Sequence, residues 1–147
     1  MIETLPFFLR IAGAGLIALA ALHIPISRHL NWREDVARLT PVNASIFHVH
    51  TFFICLVLVL MGLPCLVDPH IFLERSLAGA WASWSIASFW TARLYCQWFI
   101  YPAALWRGKR METCVHWFFT FVWLALASLF GLCAAVQMGW LGMPGNR

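Results

Sequence analysis

Charge is what this sequence has least of. Asp, Glu, Lys and Arg make up 11% of its 147 residues, against about 25% in ordinary globular domains, while 62% are hydrophobic. With a mean hydropathy of +0.77, that argues against a soluble fold. Acids are scarcest, six in all, and none lies deep in a hydrophobic run. A di-iron carboxylate centre therefore has no ligands, and no acid is placed to complete a Ser-His-Asp triad. Cysteine is present five times but never as C-x-x-C, which leaves no basis for a disulfide framework or a thiolate zinc site. The five read as small buried hydrophobes, with a single Cys65–Cys133 bridge left open because both fall near the same end of the expected bundle. Internal repeats and low-complexity segments are missing. So is any interleaving of basic and aromatic residues that would suit nucleic acid.

What is there is four long apolar runs, at about 7–26, 46–66, 77–101 and 112–138. Each is long enough to cross a hydrocarbon core of ~30 Å at ~1.5 Å per residue. The chain is therefore expected to be all-α: a single-domain, polytopic, four-transmembrane-helix bundle over 1–147. Run one carries Glu3 ahead of it and lacks an A-x-A cleavage site, so it reads as a mature helix, not a signal peptide. It is expected to end at Pro25. Its small residues, Ala12 to Gly15 with Ala18, Ala20 and Ala21, suit close backbone approach inside the bundle or against a second subunit. Between runs one and two, Asn31 and Glu34 fit a capping box. Trp32, Val36 and Leu39 share a face, predicting a short interfacial amphipathic helix over 32–39. Ser45 is the expected N-cap of run two.

Basic residues set the expected orientation. Arg28, Arg33 and Arg38 fall between runs one and two, and Arg107, Lys109 and Arg110 between three and four. Arg10, Arg75 and Arg147 fall on the other side. Six against three places both basic loops in the cytoplasm of a bacterial inner membrane, with both termini outside.

Run three holds the residue hardest to dismiss. Arg93 lies about two turns inside it, where a charge needs a partner or a water-filled cavity. Gln97 and Tyr101 follow at i+4 and i+8, on one stripe. On the same side, His23 ends run one, His50 begins run two and His116 begins run four, each ~4–6 Å inside its helix end. Glu112 precedes His116 by four and can orient it. For His29, His48 and His70 the ordinary interfacial role is taken. Three imidazoles suit haem b or a single transition metal ion. His23, His50 and His116 are then the ligands, and Arg93, Gln97 and Tyr101 meet a propionate, a quinone or another lipophilic ligand. That predicts redox chemistry or electron transfer. Two other readings stand beside it. One is an accessory subunit, or a homo-oligomer, joined through run one. The other is a carrier of an anionic or lipophilic molecule, with Arg93 as its charge.

Overall fold

A computed structural model describes residues 2–141, so Arg147 of the orientation count lies outside the described residues. Every regular element in it is helical: α1 (Leu5–His29), α2 (Trp32–Ala37), α3 (Pro41–Val67), α4 (Leu77–Tyr95) and α5 (Arg110–Gln137), with short 3-10 turns between. A π-helical turn, Cys96–Ile100, continues α4. Among the described residues, α1, α3 and α5 are long and apolar enough to cross a membrane. The fourth expected span does not reach that standard. At 19 residues α4 is long enough, but Arg93, with three tryptophans and three serines, holds its hydropathy down.

The chain divides into two compact units, residues 6–69 and a second from His70 onward that includes the N-terminal residues to Leu5. In the first, α1 buries Leu9, Gly13, Leu16 and Ala20, and α3 buries Leu58, Gly62 and Cys65. The spacing of three and four gives each helix one inward stripe. The two helices meet at Gly13 and Gly62. A Cβ on Gly13 would lie 2.7 Å from the Gly62 carbonyl oxygen, and one on Gly62 would lie 2.9 Å from that of Gly13. Further along, the Cys55 thiol reaches the Ala20 carbonyl at 3.8 Å. The small-residue face of run one thus finds its partner within its own unit, through Gly13. Gly15 faces open space.

Three helix ends differ from the sequence expectation. Pro25 lies inside α1, which runs on to His29; near the end of a long helix, one forfeited N–H bond does not stop the ladder. Thr40, not Ser45, caps α3, its hydroxyl accepting from the Asn43 N–H with Pro41 in the first turn. A Thr-Pro pair is the stronger start signal, because proline has no N–H to leave unpaired. The same proline keeps Thr40 extended (φ −62°, ψ 152°), so α2 stops at Ala37 and Leu39 is exposed. The capping box does not form. Asn31 adopts a left-handed conformation (φ 53°) and its side chain caps nothing. Val36 is nonetheless buried, and Trp32 packs edge-on against Phe47 of α3 at 5.4 Å.

In the second unit, α4 and α5 run antiparallel. Ser76 caps α4 by accepting from Gly79. Gly79, Ser83, Ala87 and Trp90 form its buried stripe; Thr120, Trp123, Leu126, Phe130 and Cys133 form that of α5. At one end the Gln137 amide donates to the Ile71 carbonyl at 3.0 Å. Midway, Trp90 and Trp123 stack, with centroids 4.8 Å apart and planes 11° from parallel. At the other end lies the candidate site.

Candidate functional site

The π-turn and α5 bring three side chains into a chain of hydrogen bonds. Arg93 Nη1 donates to Gln97 Oε1 at 3.5 Å. Gln97 Nε2 lies 3.0 Å from His116 Nδ1 and 3.5 Å from the His116 carbonyl oxygen. Arginine has only donors and a carbonyl oxygen only accepts, so both ends fix the orientation of the amide. Gln97 therefore donates to Nδ1, and the proton of the neutral His116 ring sits on Nε2. Both residues are buried, Gln97 8% and His116 5% exposed. Glu112, the expected orienter, stands exposed one turn earlier; the partner of His116 comes from the facing helix.

Aromatic rings enclose the chain. The Arg93 guanidinium lies over the rings of Tyr101 (5.5 Å) and Trp123 (5.2 Å), within range of cation–π attraction. His116 stacks on Trp106 at 3.9 Å and 9°, with Trp98 and Trp117 edge-on to it. The loop that delivers Trp106 is tied down by the Thr113 hydroxyl, which donates to the Trp106 carbonyl at 2.6 Å. Gly108, at φ +80°, makes the reversal in that loop, a conformation that favours glycine.

Arg93 has no carboxylate partner among the described residues; the groups around it are an amide and two rings. A full counter-charge is missing.

His23 and His50 lie in the other unit. Each ring sets Nδ1 2.8 Å from the carbonyl one turn back, His23 on Leu19 and His50 on Ile46. A carbonyl only accepts, so both rings carry their proton on Nδ1 and keep a free Nε2 lone pair. The contacts of Gly13 with Gly62 and of Ala20 with Cys55 set these two histidines within about one turn of each other along α1 and α3. Their depths shift with the helix ends. His23 lies six residues from the end of α1, His116 six from the start of α5 and His50 nine from the start of α3. His116 differs in chemistry as well, with Nδ1 occupied and Nε2 protonated. Among the described residues no group of three or more His, Cys, Asp or Glu could hold a metal ion.

The structure thus gathers Arg93, Gln97, Tyr101 and His116 in one network. Sequence reasoning missed Trp106 and Trp123 as parts of it. Their signal was i, i+7 spacing of Trp123 from His116 and a tryptophan in the basic loop. Comparison with protein-family models, with curated proteins and with solved structures finds no match to this chain.

Proposed function

We propose that this chain is an integral membrane carrier of a lipophilic anion, with Arg93 as the charge that receives the anionic head. One observation carries this reading: a half-buried guanidinium whose neighbours, an amide and two aromatic rings, are all neutral. Away from bulk water such a charge is costly until paired. The aromatic rings beside it suit an apolar body behind the head group. In this reading α4 crosses the membrane as the fourth span, both basic loops face the cytoplasm of a bacterial inner membrane, and both termini lie outside. The test is uptake of n-decanesulfonate, an anion at every pH, into phosphatidylcholine liposomes containing the protein. Saturable uptake that falls at least tenfold in Arg93→Gln and survives His23→Ala and His50→Ala is expected. Uptake equal to that of protein-free liposomes, or unchanged in Arg93→Gln, would overturn it.

A second reading is favoured by the two Nδ1-bonded imidazoles. Ligating histidines commonly donate their other nitrogen to a carbonyl, and His23 and His50 both do so. Two such rings can hold haem b, with redox chemistry or electron transfer as the role. A Soret band in the purified protein, lost in His50→Ala, supports it; a featureless visible spectrum and empty metal analysis remove it.

A further inference from the structure

Where the loop after the π-turn folds back on α5, it leaves a cleft of about 450 Å³, walled by Trp98, Trp106, Trp117, His116, Thr113 and Arg107. That volume is in the range of small-molecule sites. With Ala103 and Gly108 completing the lining, three of its eight residues are indoles, and Thr113 has already spent its proton on the Trp106 carbonyl. The His116 ring is 95% buried, its Nδ1 is taken by Gln97, and its Nε2–H has no partner among the described residues. That nitrogen is also absent from the sealed, unpartnered polar atoms, which are Ser83 Oγ, Trp90 Nε1, Trp123 Nε1 and Gln137 Oε1. It therefore opens on the cleft.

We infer that this cleft binds a planar quinone-type ring, one ring carbonyl accepting the hydrogen bond of His116 Nε2–H. The inference does not rest on the role of Arg93 as carrier charge. A fixed donor, with the Arg107 cation nearby, selects a head group that accepts and disfavours ammonium groups, which only donate. Among acceptors, the walls choose. Indole faces are electron-rich and stack best on a flat, electron-poor ring, which is what a quinone presents. A lipid phosphate would be satisfied by Arg107 and Lys109 in water and gains nothing from three indoles. A quinone carbonyl without the His116 donor would be buried unpaired, so recognition depends on the tautomer that Gln97 imposes.

The experiment uses the full chain in nanodiscs of phosphatidylcholine, with duroquinone as the probe; its four ring methyls block addition of the cysteine thiols. Tryptophan fluorescence should quench saturably. Gln97→Glu keeps the shape of the side chain but turns the donor into an acceptor, so the His116 proton moves to Nδ1 and Nε2 becomes a lone pair. Loss of one hydrogen bond predicts about fivefold to tenfold weaker duroquinone binding, in this variant and in His116→Phe. In Gly131→Ala, on the same helix but away from the cleft and with open space for the added Cβ, binding stays within about twofold of the natural protein. Quenching that rises linearly without saturation, that is equal in Gln97→Glu and the natural protein, or that is abolished by adding phosphatidylglycerol, overturns the inference. The last result would assign the cleft to a lipid head group.

Discussion

Gln97 reaches both the ring and the backbone of His116, with one amide nitrogen 3.0 Å from Nδ1 and 3.5 Å from the carbonyl oxygen. Arg93 holds the opposite end of that amide. A side chain from the π-turn thus decides where a proton sits on α5. The natural protein, labelled with 15N at histidine, is expected to show His116 with a protonated Nε2 and a bare Nδ1. In Gln97→Glu the two signals should exchange. A spectrum with Nδ1 protonated in the natural protein contradicts this geometry.

Replacing the amide with an apolar group should cost stability. Gln97→Leu leaves the buried Nδ1 of His116 and the Arg93 donor without their partner, a loss of about 1–3 kcal/mol. Thermal unfolding in detergent should show a lower midpoint than for Gln97→Glu, which keeps a bond to the ring.

The two glycines of α1 separate packing from assembly. Gly13→Leu cannot fit against the Gly62 carbonyl, where a Cβ alone would sit at 2.7 Å, so α1 and α3 must part. A loss of about 1–3 kcal/mol or more is expected, read as a fall in the unfolding midpoint. A Cβ at Gly15 meets nothing within 4 Å, so Gly15→Leu should not lower that midpoint. If Gly15→Leu instead dissolves an oligomer or a larger complex, the accessory-subunit reading of run one gains its first support.

Helix type and the runs that form α1, α3 and α5 were legible because composition alone is enough to mark them. The inward stripe of α1 was legible only in part: of the small residues named, Gly13 and Ala20 are buried, while Ala14, Gly15, Ala18 and Ala21 are exposed, and Leu9 and Leu16 complete the stripe. Helix ends were harder. Pro25 looked like a stop and Ser45 like a start, but context let α1 pass the first and Thr40-Pro41 outcompete the second. Arg93 and Gln97 could be joined from spacing, because the π-turn continues α4; Tyr101 falls just past it, in extended backbone (φ −76°, ψ 127°), and its ring still lies under the Arg93 guanidinium. The Gln97–His116 bond could not, since which helix faces which is not written in either run. For the same reason Glu112, four residues away in sequence, was the natural guess for the orienter, and Gln97, nineteen away, was not.

The stack at mid-helix should matter more than any single contact near it. Trp123 touches Trp90, Phe119 and the Arg93 guanidinium at once. Trp123→Ala opens a large void between α4 and α5 and should destabilise by about 3–5 kcal/mol. Trp123→Phe retains ring contact and should cost less than half of that. Equal melting of the two variants would show that the stack contributes little.

The most direct measurement of the central claim is mass spectrometry of the molecules extracted from the purified natural protein and from Arg93→Gln. The account predicts an acidic, lipophilic molecule at about one per chain in the first and at less than a tenth of that in the second. An equal yield from both proteins, or no acidic molecule from either, would contradict it.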